Sequence, residues 1–115
     1  MSRRPYSKFR KTGGFIYVSG QTGFNPADRM IGETIEEQTE QTLKNIEMAL
    51  KEADCTMNDV VKCSVFLTDM SEFRKMNSVY IKFFSDPPPA RTTVGANLSS
   101  PKMKIEIDAI AYIST

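Results

Sequence analysis

The stretch Pro89-Ala90-Arg91-Thr92-Thr93-Val94 is followed, after a proline-containing turn, by Lys104-Ile105-Glu106-Ile107-Asp108-Ala109-Ile110-Ala111. The two stretches read as strands over residues 91–98 and 103–113. The guanidinium of Arg91 can donate two parallel hydrogen bonds, which suits it to a small carboxylate or a phosphate. The carboxylate of Glu106 can move a proton or orient a water molecule. Together they indicate a site that holds a small acid and carries out polar chemistry beside it.

Two amphipathic helices are predicted earlier in the chain. The first begins at a capping box formed by Thr34 and Glu37 and ends near Asp54. The second follows another capping box, at residues 69–72, and must end by Asp86 because three prolines come next. Helical spacing selects two apolar stripes, Ile35, Leu43, Ile46, Leu50 and Ala53 in the first helix and Phe73, Met76, Tyr80, Phe83 and Phe84 in the second.

Two further strands are predicted over residues 15–20 and 60–68. Alternation gives each long strand an apolar face, formed by Val61, Cys63, Val65 and Leu67 in the strand at 60–68 and by Met103, Ile105, Ile107, Ala109 and Ala111 in the last strand. The order of elements predicts an α+β fold, with two helices covering one face of four or five strands. The other face carries Phe66, Ile110 and Tyr112 alongside Glu106 and Lys62. We expect subunit association to bury that half-apolar face.

The chain has 115 residues, which fits one domain over residues 1–115. Its formal net charge is +1, whereas a dedicated nucleic-acid-binding domain usually has a strongly basic face. The start of the chain is basic, since residues 1–27 contain five Arg and Lys residues and no acid. We interpret that segment as a solvated stretch that protects a sheet edge. Nucleic acid is therefore not an expected partner.

The sequence contains no histidine, which removes the commonest general base and metal ligand. Triads that need histidine are excluded, and neither a metal nor a cofactor is expected. Cys55 and Cys63 have the spacing of neither a metal site nor a redox pair, and Cys63 fits the pattern of a small core residue. Free thiols favour the cytosol. No secretory signal or membrane-spanning run is recognisable.

The chain resembles the reactive intermediate deaminase family, also called the YjgF, Rid or L-PSP family. The resemblance runs along almost the whole sequence. It rests on Pro5-Tyr6-Ser7, Val18-Ser19-Gly20-Gln21, residues 38–46, Asp59-Val60-Val61-Lys62, Val65-Phe66-Leu67-Thr68-Asp69-Met70, Phe73 with Asn77 and Tyr80, Pro89-Ala90-Arg91, and residues 105–111.

The resemblance implies a chorismate-mutase-like α+β fold, assembled as a homotrimer with a central barrel and with sites between the subunits. It also implies hydrolysis of 2-imino or 2-enamino acids to 2-keto acids and ammonia, without a cofactor. By position, Arg91 would bind the substrate carboxylate and Glu106 would serve the attacking water. The remaining pocket positions carried over are Tyr6, Ser19, Asn77 and Thr93. Thr93 stands where many members have cysteine, and Arg4 stands where a glycine is usual.

Each of these residues also has a purely structural interpretation. Arg91 could be a surface ion-pair partner, Tyr6 could cap the sheet edge, and Ser19 could be a small residue before a turn. Asn77 could tie down the loop next to its helix. Glu106 could form a salt bridge with one of two lysines, Lys62 or Lys104.

Two other functions remain open. One is a non-catalytic module that binds or senses small carboxylates such as 2-keto acids. That function would need Arg91 but not Glu106. The other is RNA cleavage or inhibition of translation, against which the near-neutral charge and the missing histidine argue.

Overall fold

The computed structural model describes residues 3–114. Its elements in chain order are β1 (Phe9–Thr12), β2 (Phe15–Thr22), β3 (Phe24–Asn25), β4 (Met30–Ile31), α1 (Ile35–Glu52), β5 (Val60–Leu67), α2 (Phe73–Tyr80), β6 (Ala90–Gly95) and β7 (Ile105–Tyr112). Short 3-10 turns lie at Met57–Asp59, Met70–Glu72 and Ile81–Phe83.

The five longer strands form one mixed sheet in the order β1-β2-β7-β5-β6. Strands β5 and β6 are parallel, and the other pairs are antiparallel. Helix α1 packs on β2 and β7, and α2 packs on α1. This arrangement confirms the predicted α+β class with a sheet of four or five strands.

The core lies between the sheet and the helices. The predicted alternation of buried and more exposed residues is clearest in β7. Its predicted apolar face is buried, with at most 1% exposure at Ile105, Ile107, Ala109 and Ala111. The apolar stripe predicted for α1 is also buried. Both cysteines are free and buried, and Cys63 is fully enclosed in the core.

The prediction for β5 is wrong at Val61. Val61 is 48% exposed, whereas its neighbour Val60 is only 7% exposed. The cause is a register shift between Val60 and Lys62 in the pairing with β7, which moves the alternation by one residue. From Cys63 onward the predicted face is buried.

Of the two capping boxes predicted at the starts of helices, the one at α1 forms and the one before α2 does not. At α1 the capping box forms, since the Thr34 hydroxyl accepts a bond from the Glu37 N–H and the Glu37 carboxylate accepts one from the Thr34 N–H, both at 3.1 Å. Before α2 the Asp69 carboxylate instead accepts a bond from the Ser71 N–H at 3.0 Å. Because that contact orders a 3-10 turn, α2 itself begins only at Phe73.

The ends of several elements also differ from the prediction. Strand β1 is absent from the sequence-based assignment, because four residues with one half-buried position give little periodicity. Strands β6 and β7 are shorter than predicted, since residues 96–104 form an irregular connection. Helix α2 ends at Tyr80, where a 3-10 turn carries the chain toward the prolines.

The sheet face turned away from the helices carries aromatic and aliphatic side chains. Phe15 and Tyr112 lie opposite each other with ring centroids 4.9 Å apart. Tyr17 lies opposite Ile110 in the same ladder. Phe15, Tyr17 and Tyr112 are each 39–44% exposed. This open face matches the surface that the alternation in the last strand predicts.

None of the helices in residues 3–114 combines the length and the apolar character that crossing a membrane would require.

Candidate active site

Arg91 is held by three side chains of α2. Its Nη1 donates a hydrogen bond of 2.7 Å to Oδ1 of Asn77. Its Cζ lies 4.7 Å from the ring centroid of Tyr80 and 5.5 Å from that of Phe73. Among the described residues Arg91 has no ion-pair partner. An amide and two aromatic faces therefore hold the guanidinium in place without neutralising its charge.

The fold explains why these groups meet. Parallel pairing of β6 with β5 sets Arg91 opposite Cys63, so its side chain points toward the helices. On α2, Phe73, Asn77 and Tyr80 follow one another at intervals of four and three residues and share one face. The loop interpretation of Asn77 is wrong, because the side chain bonds to Arg91 instead.

A cavity of about 460 Å³ opens beside this arginine. We call it the Arg91 cavity, and it is lined by Arg74, Asn77, Ser78, Tyr80, Ile81, Pro88, Pro89 and Arg91. Its walls combine apolar surface with two guanidinium groups, and none of its lining residues is acidic. Such a cavity attracts an anion that also carries apolar atoms.

Glu106 lies on the opposite face of the sheet. In β7 it alternates with the buried Ile105 and Ile107, and it pairs with Phe66 of β5. Burial raises the pKa of its carboxyl, and the like charge of Asp108, two residues along the same face, raises this pKa further. A carboxyl with a raised pKa can accept and return a proton closer to neutral pH than an ordinary one.

The Glu106 carboxylate rests against Gly20 of β2. A Cβ at that glycine would lie only 2.8 Å from Cδ of Glu106, so any larger residue would displace the carboxylate. A second cavity of about 490 Å³ opens here, and Tyr6, Gly20, Gln21 and Glu106 are among its lining residues. We call it the Glu106 cavity. Because Gly20 has no side chain and the cavity opens beside it, a small molecule in the cavity can reach the carboxylate of Glu106.

The salt-bridge interpretation of Glu106 finds no support among the described residues. Lys62 donates to the Thr92 hydroxyl at 2.8 Å, and Lys104 lies 3.9 Å from the Glu72 carboxylate. Both lysines that the sequence offers as partners are thus engaged elsewhere. Glu106 keeps its acceptor capacity for another group.

Gln38 of α1 is buried, with only 1% of its surface exposed, and it fixes the segment that leads into β7. Its Nε2 donates to the carbonyl oxygens of Gly32 and Lys102 at 2.8 and 2.9 Å, and its Oε1 accepts from the Lys104 N–H at 2.8 Å. This anchoring role was not predicted from the sequence. The position of Gln38 three residues after Ile35, on the apolar stripe, was the available signal.

The three remaining predicted residues lie in different surroundings. The Ser19 hydroxyl donates to the Ser7 carbonyl at 2.6 Å and so fastens the segment that carries Tyr6. Tyr6 itself is 60% exposed at the Glu106 cavity. Thr93 shares the helix-facing side of β6 with Arg91, and its buried hydroxyl has no hydrogen-bond partner among residues 3–114.

The structure thus divides the predicted residues into two groups. Arg91 and Asn77 line one cavity, with Thr93 on the same face of β6. Glu106 and Tyr6 line the other cavity, with Ser19 beside Gly20. Neither cavity contains both Arg91 and Glu106. Across residues 3–114, no three His, Cys, Asp or Glu side chains come together closely enough to hold a metal ion.

The fold and the two cavities define an α+β protein with a five-stranded mixed sheet, two helices and a candidate site on each face of the sheet. The family model described as Endoribonuclease L-PSP matches residues 1–113. A RutC family protein of Pyrococcus abyssi is 41% identical over 109 residues, which cover 94% of this chain and 86% of that protein. The protein named Reactive Intermediate Deaminase A, chloroplastic, of Arabidopsis thaliana is 37% identical over 110 residues, which cover 95% of this chain and 59% of that protein.

A solved structure agrees with these sequence matches. The crystal structure of E. coli TdcF with bound serine has a TM-score of 0.89 and 28% identity, and the match covers 98% of this chain and 91% of that one. The chain therefore belongs to the Rid/YjgF/L-PSP family, which includes the RutC proteins. The resemblance found in the sequence is confirmed. Because one relative is named as chloroplastic, the cytosolic location stays a prediction.

Proposed function

We propose that the protein hydrolyses reactive 2-imino and 2-enamino acids to 2-keto acids and ammonia. The observation that carries the proposal is the state of Arg91, which is fixed by Asn77 and Tyr80, faces a cavity and has no acidic partner among the described residues. A guanidinium in this state is suited to the carboxylate that every 2-imino acid carries. Family membership and a relative named as a reactive intermediate deaminase support the same reaction.

The chemistry follows from the two proposed groups. Arg91 holds the carboxylate, and N–H groups other than the one bonded to Asn77 face the substrate. A 2-enamino acid first tautomerises to the 2-imino acid. A water molecule then adds to the carbon of the C=N bond, and Glu106 takes a proton from the water and passes it to the nitrogen, which gives a carbinolamine. The hydroxyl proton of the carbinolamine next moves through Glu106 to the amino group while the C–N bond breaks and the C=O bond forms, which releases ammonia and leaves the 2-keto acid. The raised pKa of Glu106 favours this proton exchange.

We further propose that a complete site needs two chains. Arg91 and Glu106 lie on opposite faces of one sheet, so Glu106 of one protomer has to meet Arg91 of another. A homotrimer with the open sheet faces around a central barrel would achieve this and bury Phe15, Tyr17 and Tyr112. In that assembly Asn77 and Thr93 accompany Arg91, while Tyr6 and Ser19 accompany Glu106.

Ammonia release from freshly generated 2-iminopropanoate and 2-iminobutanoate tests the proposal, combined with calorimetric binding of 2-ketobutyrate. Arg91→Lys should lose much of the activity although the charge is kept, because an ammonium has no planar fork. Arg91→Ala should lose both turnover and binding. Glu106→Gln should keep binding and lose turnover, because an amide does not accept the proton.

The outcomes separate this function from its alternatives. Wild-type turnover in Glu106→Gln would remove Glu106 from the mechanism. Binding of 2-ketobutyrate without any ammonia release in the wild type would favour a carboxylate-binding module. The family description also names an endoribonuclease, and RNA binding that falls steeply with salt would favour that activity. Unchanged affinity in Arg91→Ala would overturn the carboxylate anchor.

A further inference from the structure

The Arg91 cavity contains a second guanidinium, that of Arg74, which has no role in the proposed reaction. Arg74 lies on α2, three residues before Asn77 and four before Ser78. Residues at these spacings share one side of a helix. The side chain of Arg74 therefore lines the same cavity as Asn77 and Ser78.

The charge in this cavity is uncompensated. Both ionised groups in its lining are cationic, and no carboxylate lines it. Within residues 3–114, Arg74 forms no ion pair, so its charge is not taken up by a neighbour. Arg91 is held by an amide and by aromatic rings rather than by an acid. A ligand with one carboxylate would neutralise only one of these two charges.

We propose that the preferred substrate carries a second carboxylate in its side chain, which makes it a 2-imino dicarboxylic acid. Arg91 binds the carboxylate next to the imine carbon, and Arg74 binds the one at the far end. The apolar wall of Tyr80, Ile81 and Pro88 covers the methylene groups between them. This inference rests on the proposed function, because it names the substrate class of the same site.

Stable keto acids provide the direct probe. The affinities of 2-oxoglutarate and 2-ketobutyrate, measured by calorimetry on the wild-type protein, compare ligands with and without a distal carboxylate. We expect 2-oxoglutarate to bind about tenfold more tightly, which corresponds to about 1.4 kcal/mol, because Arg74 can donate a charge-assisted hydrogen bond to its distal carboxylate. Arg74→Gln should abolish this preference, because the distal carboxylate of 2-oxoglutarate then has no cationic partner, whereas Arg74→Lys should keep part of it.

The matched control is Lys75→Gln. Lys75 is exposed, is the next residue of the same helix and does not line the cavity, so this variant removes an equal charge outside the site. It should keep the preference for 2-oxoglutarate. An equal loss of preference in Lys75→Gln would mean that only the general field of α2 matters and would overturn the role of Arg74.

Activity measurements separate this inference from the proposed function. The ratio of kcat/KM for 2-iminoglutarate to that for 2-iminobutanoate should fall about tenfold in Arg74→Gln. Wild-type hydrolysis of both imines with no preference, unchanged in Arg74→Gln, would overturn the inference and leave the proposed function intact. Failure of the wild type to hydrolyse either imine or to bind either keto acid would overturn both.

Discussion

Asn77 Oδ1 and Arg91 Nη1 are joined by a hydrogen bond of 2.7 Å that links α2 to the edge strand β6. The Tyr80 ring lies against the same guanidinium, 4.7 Å from its Cζ, and packs in a tilted arrangement against the Phe84 ring. Neither an amide nor a ring carries a charge. The contact therefore orients Arg91 and leaves its positive charge available to a ligand, which an aspartate or glutamate in the same place would not do.

The ring of Tyr80 can be tested separately from its hydroxyl. The hydroxyl is buried and has no hydrogen-bond partner among the described residues, and burial raises its pKa, so it stays protonated. Tyr80→Phe should therefore keep the affinity for 2-ketobutyrate. Tyr80→Leu removes the aromatic face and should weaken binding about twofold to thirtyfold, because a cation–π contact contributes about 0.5–2 kcal/mol. Calorimetric titration gives both affinities.

Phe84→Leu is the control for lost packing in this aromatic pair. It alters the partner of Tyr80 and does not touch Arg91 directly. It should reduce the free energy of unfolding and keep the affinity for the keto acid. Equal weakening of binding in Phe84→Leu and Tyr80→Leu would show that general packing, rather than the contact with Arg91, supports the site.

The raised pKa of Glu106 predicts the pH dependence of turnover. A general base must be ionised, so activity rises as the pH rises through the pKa of this carboxyl. Asp108→Asn removes the like charge and should lower the pKa of Glu106, which moves the acidic limb of the kcat/KM profile to lower pH. The shift should be partial, because burial is the larger cause of the raised pKa and remains. Ammonia release measured across acidic pH gives the profile.

Asp54→Asn is the matched control for this change of charge. Asp54 directly follows the C-cap residue of α1 and has a positive φ of 62°, which asparagine also tolerates. The acidic limb of the kcat/KM profile of Asp54→Asn should coincide with that of the wild type. An acidic limb that stays in place in Asp108→Asn would show that another group controls the reaction at low pH.

Local sequence patterns predict much of this fold and less of its site. The capping box at Thr34 and the alternation in β7 depend on nearby residues and were predictable. The exposure of Val61 was not, because it results from a shift in the pairing with a strand more than forty residues away. The separation of Arg91 from Glu106 depends on the register of three strands. Arg74 and Arg91 line one cavity only because the fold brings α2 beside β6, where Asn77 bonds to Arg91.

Gln38 provides a test of how the fold supports the Glu106 side of the site. Gln38→Leu keeps the size of the side chain but leaves two carbonyl oxygens and one N–H without their partner. It should lower the free energy of unfolding by at least about 2 kcal/mol, since each unsatisfied buried group costs about 1–3 kcal/mol. Urea denaturation at a fixed protein concentration measures the change.

Gln41→Leu is the companion variant on the same helix. Gln41 donates one bond, to Asn45 at 2.9 Å, and is only partly buried. Loss of this hydrogen bond should lower the free energy of unfolding by about 1 kcal/mol or less. Similar losses of stability in the two variants would contradict the anchoring role of Gln38.

The proposed division of the site between two chains leads to a complementation test. Arg91→Ala keeps an intact Glu106, and Glu106→Gln keeps an intact Arg91. Each variant alone should be inactive as a homotrimer. Denaturing the two together and refolding the mixture should restore about one quarter of wild-type activity, because random assembly of a closed ring gives one interface in four with both intact residues. Ammonia release from 2-iminobutanoate, beside light scattering to confirm equal assembly, measures the outcome. If both residues served a site within one chain, no mixed trimer would contain a complete site, and refolding the mixture would restore no activity.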